Sequence, residues 1–144
     1  MKLEKIEEKK EELTEVQSKD LFRSIVMGQD VTEEVETSRG KFKIKFPRAK
    51  DLETIAKLCA SRLMGIPMSC FDINSYNLMQ EIATLDVLVI TGPDWYELAK
   101  KKNPNFSWRE IPSQNFIQEV YALAYNFRLE VQKQIEPDPT TADN

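Results

Sequence analysis

Residues 71–95, FDINSYNLMQEIATLDVLVITGPDW, form the longest apolar segment of the chain. At helical period its apolar side chains fall on two stripes, Tyr76, Met79, Ala83, Val87 and Ile90 on one and Leu78, Ile82, Leu85 and Val89 on the other. A helix that is apolar on more than one side must be packed on more than one side. We therefore expect a central helix over residues 74–89. A short strand at 87–90 is the competing interpretation, because that stretch is rich in β-branched residues.

Polar and apolar residues alternate with a period of two over residues 31–46, ahead of this segment. The second half of that stretch, KFKIKF at 41–46, is apolar at its even positions. Gly40 can supply the positive φ of a tight turn. Glu34 and Glu36 can then face the lysines of the second run, which favours antiparallel pairing. The pattern predicts a β-hairpin over about 31–46.

Further amphipathic helices are predicted on both sides of the central one. Residues 51–64 carry apolar side chains at helical spacing and end at Gly65-Ile66-Pro67. Residues 113–135 form the longest amphipathic pattern, and short helices are expected at 19–27 and between Trp95 and Lys102. The predicted fold class is α+β, mainly α: an N-terminal β-hairpin followed by a compact bundle of three main helices plus short helices.

The predicted domain organisation is one globular domain over residues 19–135. Residues 1–18 are mostly Lys and Glu with a thin apolar stripe. They are expected to be a charged helical or flexible arm, or a helix that orders against a partner subunit. Residues 136–144 contain no apolar anchor and are expected to be a disordered tail.

Composition argues against several classes of function. The net charge is −4, which disfavours nucleic-acid binding, and the chain contains no histidine, the commonest general base and metal ligand. Its two cysteines, Cys59 and Cys70, do not close a zinc site by themselves, and we expect Cys59 to act as a small buried hydrophobe. No glycine-rich phosphate loop and no apolar run of about 18 residues is present. We therefore expect no catalytic residues, metal or cofactor, and no membrane partner.

Three carboxylates in or beside apolar segments leave an enzymatic alternative open. Asp72, Asp86 and Asp94 are the candidates, and two of them in one deep polar pocket would make a paired-carboxylate site. Helix capping by Asp72, a polar break at Asp86 and turn formation by Asp94 are simpler explanations. The enzymatic alternative thus depends on whether these side chains converge.

Six side chains are candidates for binding a protein partner. Aromatic residues with a polar atom are enriched at interfaces, and methionines make adaptable apolar surfaces. The candidates are Trp95, Tyr96, Phe106, Trp108, Met64 and Met68. The alternatives are that the four rings cover the ends of the helical core and that the methionines fill the core.

The order of elements, with three short motifs, resembles the tail assembly chaperones of long-tailed bacteriophages and prophages. The motifs are Phe46-Pro47, Ala83-Thr84-Leu85-Asp86 and Pro93-Asp94-Trp95, and the similar portion runs from about Gly40 to Gln134. The charged arm at 1–18 has no counterpart in that pattern.

The resemblance implies a non-enzymatic protein of the host cytoplasm. Such chaperones coat the long, apolar tape-measure protein until tail-tube subunits polymerise around it. The implied partner is a tape-measure-like or other tail protein, and self-association into a homo-oligomer is left open. The alternative function is that of a structural virion protein, such as a tail-completion, neck or baseplate component.

Overall fold

In the computed structural model, which describes residues 21–136, five helices accompany one three-stranded antiparallel sheet. Residues 21–26 are helical (α1), and the strands are β1 (Thr32–Thr37), β2 (Gly40–Lys45) and β3 (Val89–Thr91). The longer helices are α2 (Ala49–Leu63), α3 (Ile73–Leu88), α4 (Asp94–Lys102) and α5 (Gln114–Ile135), with 3₁₀ turns at Met68–Cys70 and Trp108–Glu110. The predicted α+β, mainly α fold class is confirmed. The predicted arm at 1–18 lies outside the described residues, as does the tail from 137 onward.

The predicted hairpin is present, and its strands pair antiparallel as expected. Glu34 pairs with Lys43 and Glu36 with Lys41, so opposite charges face each other across the strands. Gly40 follows the two-residue loop with φ +120°, a backbone conformation that favours glycine. Two even positions of β2, Phe42 and Ile44, have no exposed surface. The hairpin therefore contributes one apolar face to the core.

The end of the central helix differs from the prediction. Helix α3 stops at Leu88 rather than Val89, and Val89–Thr91 continues as β3, antiparallel to β2 with Ile44 opposite Val89. The strand that was the competing interpretation therefore forms, and the hairpin becomes a three-stranded sheet. The physical reason is that β-branched residues fit a strand well and that β2 offers an unpaired edge.

Helix α3 is packed on more than one side, as its two stripes predict. It contacts both α2 and α5, and its buried residues are Ile82, Ala83, Leu85 and Leu88. Asp72 caps its start by accepting a hydrogen bond from the Ser75 N–H at 2.7 Å. Helices α2 and α5 thus lie on a common central element.

Helix α2 has an unusual burial pattern for a helix of a small domain. Its one buried residue is Asp51, whose carboxylate accepts hydrogen bonds from the Arg48 N–H at 2.9 Å and from Lys45 Nζ at 3.1 Å. Burial raises the pKa of Asp51, but the bond from Arg48 and the bond and charge of Lys45 outweigh it and lower the net pKa. The apolar residues of α2 are at most partly buried, including Cys59, which sequence reasoning expected to be buried.

Candidate partner-binding surfaces

The sheet, α4, the loop after it and α5 meet in a cluster of aromatic rings. Trp108 stacks on Phe116 with a centroid distance of 5.9 Å, and Phe42 meets Tyr96 edge to face at 5.2 Å. The Trp108 indole N–H donates a hydrogen bond to the Tyr96 hydroxyl at 3.1 Å. Burial raises the pKa of Tyr96 to about 12, against the opposing effect of that hydrogen bond. The cluster is a packed core in which the indole N–H of Trp108 and the hydroxyl of Tyr96 are hydrogen-bonded to each other.

Two of the six predicted partner-binding residues belong to this core. Trp108 has no exposed surface and Tyr96 is 4% exposed, so a partner bound to the folded domain cannot touch Trp108 and has almost no access to Tyr96. Phe106 is half-buried and packs edge to face on Tyr96 at 5.3 Å. For these three rings the alternative explanation applies: they cover one end of the core. The physical reason is that large aromatic area stabilises the fold most when it is buried.

A buried ion pair orders the loop that carries Trp108. Asp86 Oδ2 accepts from Arg62 Nη2 at 2.7 Å and from the Ser107 hydroxyl at 2.6 Å, and Asp86 Oδ1 accepts from the Trp108 N–H at 2.7 Å. Both charged side chains are almost fully buried. Asp86 therefore joins α2, α3 and the loop, a role that sequence reasoning missed. The sequence did contain one signal for this ion pair. Arg62 lies one turn after Leu58 and two turns after Ile55, so its charge falls on an apolar side of α2 and needs a partner there.

The three candidate carboxylates do not converge on one pocket in the described part of the chain. Asp72 is the exposed cap of α3, and Asp86 is occupied by Arg62. Asp94 lies in the first turn of α4 and lines a shallow depression with Lys41 and Lys43. Within residues 21–136, no three acidic or cysteine side chains are grouped as metal ligands would be.

Trp95 lies beside the aromatic cluster but remains 39% exposed. Its indole N–H donates to the Arg39 carbonyl at 2.8 Å, which ties α4 to the hairpin turn. It lines a cleft of about 210 Å³ with Ile111, Pro112 and Phe116. Trp95 remains a predicted partner contact, with the difference that its polar atom is already paired within the chain.

The connection between α2 and α3 exposes four large apolar side chains, here called the Met corner. Its members are Met64, Ile66, Met68 and Ile73, and their exposed fractions range from 48% to 83%. Met64 and Gly65 both have positive φ, +53° and +79°, so the chain leaves α2 sharply and holds the Met64 side chain outward. Both predicted methionines therefore lie on the surface rather than in the core.

A second apolar depression lies at the opposite end of α2. Phe22 and Val26 of α1, Phe46 and Ile135 line a groove of about 500 Å³. Phe22 and Val26 are themselves largely exposed. Sequence reasoning did not single out these residues, because α1 looked like an ordinary short helix packed on the core.

Among the described residues, large exposed apolar side chains are thus found in the Met corner, on α1 beside the start of α2, and at single positions of α2, α4 and α5. Within the described residues, no helix is both long enough and apolar enough to span a bilayer. Comparison of the chain with protein-family models, curated proteins and solved structures finds no match, so these surfaces carry the functional argument.

Proposed function

We propose that this chain is a non-enzymatic tail assembly chaperone of a long-tailed phage or prophage. It binds an elongated helical partner, a tape-measure-like protein, in the host cytoplasm during virion assembly. The observation that carries the proposal is the Met corner, where four large apolar side chains within ten consecutive residues are exposed. The motifs that resemble the chaperone family support the same assignment.

Exposed apolar residues that stand alone are ordinary, but a contiguous group is a mark of an interaction site. The four side chains of the Met corner come from ten consecutive residues, 64–73, around a sharp turn. Since they remain exposed, they add little to the stability of the fold. Two of them are methionines, whose flexible thioethers adapt to varied apolar partners. This suits a protein that must cover many segments of one long chain.

An amphipathic helix is the kind of partner that such a surface fits. Helices bind apolar surfaces through anchors spaced at i, i+3, i+4 and i+7, and they need no free strand edge. The net charge of −4 helps to keep a complex with an apolar chain in solution. Binding of this kind requires no reacting group and is reversed when tail-tube subunits compete for the partner.

Co-expression with the long coiled-coil product of a neighbouring gene, as the proposed partner, tests the proposal. We expect the partner to be soluble and to co-purify with the wild-type chain. The double variant Met64→Ser, Met68→Ser should lower the co-purified amount about tenfold. Leu98→Ser, which changes one exposed apolar residue on α4, is the matched control and should behave as wild type. A partner that stays insoluble with the wild-type chain contradicts the proposal.

Mass spectrometry of purified particles separates the chaperone from a structural virion protein. A chaperone leaves the particle before completion, so we expect no stoichiometric copy number of this chain. A fixed number of copies in each particle would assign it instead to the tail-completion, neck or baseplate components.

A further inference from the structure

Strand β1 lies at one edge of the sheet, with β2 on its inner side. At the start of this pair, the Val31 carbonyl accepts a hydrogen bond from the Phe46 N–H at 2.7 Å. Residues bonded in this way alternate along an antiparallel strand with residues whose backbone groups point to the other side. Thr32, Glu34 and Glu36 therefore turn their N–H and C=O groups away from β2. Within the described part of the chain, these groups have no hydrogen-bond partner.

This outer edge lacks most of the features that close a sheet edge to other chains. Natural edge strands are shortened, bulged, interrupted by proline or covered by another element. Strand β1 is six residues long and contains no proline, and its register with β2 runs without a shift. Its remaining protection is charge, since Glu33, Glu34 and Glu36 are all exposed. Such an edge repels strands of like charge and attracts strands of opposite charge.

We propose that the outer edge of β1 binds a basic, extended segment of another protein, which adds a strand to the sheet. The segment carries Lys or Arg at alternate positions, beside Glu34 and Glu36, and apolar residues between them, beside Val35. An added strand gains affinity from main-chain hydrogen bonds and specificity from its alternate side chains. This binding surface lies outside the Met corner and does not depend on the chaperone role.

Strand β2 shows which sequence pattern the side chains of β1 accept. Lys43 lies opposite Glu34, and Lys41 lies opposite Glu36. Between the two lysines, Phe42 is fully buried in the core. Side chains stand roughly perpendicular to a sheet, so those of β1 are equally available to a strand on its other side. Lys41 Nζ is 3.9 Å from the Glu36 carboxylate and both side chains are mostly exposed, so this carboxylate has room for a second cation.

Charge and topology disfavour a second copy of this chain at the edge. Pairing of two β1 strands about their middle places Glu34 opposite Glu34, and like charges directly opposite are destabilising. The basic strand β2 is already paired on both sides, with β1 and with β3. Strand β3 has three residues, and its Ile90 carbonyl accepts a hydrogen bond from Lys100 Nζ at 3.3 Å. The described part of a second copy therefore offers no free basic strand.

The terminal sequences of this chain also lack the required pattern. Residues 137–144 contain two prolines and two aspartates and no basic residue. Proline lacks the N–H that a strand donates, and aspartate would meet the glutamates of β1. Residues 1–20 contain both lysine and glutamate at odd positions and both at even positions, so neither alternate set is uniformly basic. The expected occupant is therefore a segment of another protein.

Amide hydrogen exchange with a model peptide, followed by NMR, tests this proposal on the full chain. The probe is the blocked peptide KFKIKF, which copies residues 41–46, and the control peptide is EFEIEF. In the free chain, the amides of Thr32, Glu34 and Glu36 should exchange quickly, whereas the Val35 amide, which faces β2, should exchange slowly. Saturating KFKIKF should slow the three fast amides by about tenfold or more, because each alternate N–H gains or adjoins a new bond. EFEIEF should leave them unchanged.

Variants of the edge separate the effect of charge from that of backbone pairing. The double variant Glu34→Gln, Glu36→Gln should lower the affinity for labelled KFKIKF, measured by fluorescence anisotropy, about five- to tenfold, because two cross-strand charge pairs are lost. Glu34→Pro removes an outward N–H, spares the bonds to β2, and should abolish binding while the thermal transition stays cooperative. Glu53→Gln removes the same charge from an exposed position of α2 and should bind as wild type.

Every other outcome contradicts the proposal. Absence of KFKIKF binding, or binding that leaves the three amides unchanged, shows that the edge does not accept a strand. An equal loss of affinity in Glu53→Gln assigns the binding to net charge alone. Slow exchange of the Glu34 and Glu36 amides in the free chain shows that the edge is already covered. A rate that is independent of protein concentration assigns that cover to the chain itself, and a concentration-dependent rate with a dimeric mass in sedimentation assigns it to a second copy.

Discussion

Helices α2 and α5 are both amphipathic, yet they use their apolar faces differently. Helix α5 buries six residues in the core, from Phe116 to Val131, whereas the one buried residue of α2 is the charged Asp51. The α5 region also contains the stacked rings around Trp108. The α2 region instead exposes Leu52 and the Met corner. Two similar sequence patterns therefore have different outcomes: one buries its apolar face in the core, and the other leaves apolar side chains exposed.

This contrast predicts that substitutions in the two regions have opposite consequences. Changes around α5 and the aromatic cluster should destabilise the protein, while changes at the exposed side chains of the Met corner should alter the proposed binding and leave the fold intact.

Trp108→Ala should give the largest loss of stability. It removes a fully buried ring that stacks on Phe116 and donates to Tyr96. We expect a loss of about 3–5 kcal/mol in the free energy of unfolding, measured by urea denaturation. A loss below about 1 kcal/mol would show that this end is not the core of the domain.

Asp86→Asn should give the second-largest loss of stability, about 3 kcal/mol in the free energy of unfolding. The substitution leaves the Arg62 guanidinium buried without its counter-charge. Asp94→Asn, at an exposed position in the first turn of α4, is the control and should change stability by at most about 0.5 kcal/mol. Urea denaturation of both variants provides the measurement. Equal effects of the two substitutions would contradict the buried ion pair.

Gly92→Ala tests how tightly the sheet packs on α4. An added Cβ would lie 2.6 Å from the Tyr96 ring and 2.8 Å from the Phe42 ring. Neither ring can move freely within the cluster, so we expect a loss of about 2 kcal/mol from overpacking. Thermal unfolding measures it, and an unchanged melting temperature would show that the cluster has room to adjust.

Tyr96→Phe should cost about 1–2 kcal/mol at neutral pH, because the Trp108 indole N–H loses its acceptor.

The raised pKa of Tyr96 also predicts that the stability of the domain falls at alkaline pH. That pKa is raised to about 12 in the folded state, so the unfolded chain loses this proton first as pH rises. Its contribution to stability is therefore complete below about pH 10 and is lost between about pH 10 and 12. Melting temperatures from pH 8 to 11 should fall more steeply for wild type than for Tyr96→Phe, and equal slopes would contradict the assignment.

The double variant Met64→Ser, Met68→Ser should have the smallest effect on stability. Both side chains are exposed, so the free energy of unfolding should change by at most about 0.5 kcal/mol. Urea denaturation checks this, beside the binding loss expected in co-purification. A loss above about 1 kcal/mol would place these methionines in the fold rather than on a binding surface.

Local patterns predicted most of the architecture. The alternation around Gly40 predicted the hairpin and its charge pairing, and Asp72 and Ser113 begin their helices as capping residues do. The strand at Val89–Thr91 forms because β2 offers an edge, which is a tertiary fact that no local pattern contains.

The candidate surface was harder to predict than the fold. An aromatic residue in a polar loop can be a partner contact or a core residue, and Trp108 proved to be the latter because Asp86 draws its loop onto the core. Periodicity likewise identifies the apolar side of α2 without saying whether the domain itself covers it. Only the packing of α3 against that helix shows which residues remain exposed.

Hydrogen–deuterium exchange with and without the tape-measure-like partner tests the central claim most directly. The claim is that the Met corner, at the end of α2, is the proposed binding surface, while the aromatic cluster serves the fold. We predict that bound partner slows exchange in residues 49–73 and leaves residues 32–45 and 106–131 unchanged. Protection confined to the sheet and α5, with none in 49–73, would contradict the account.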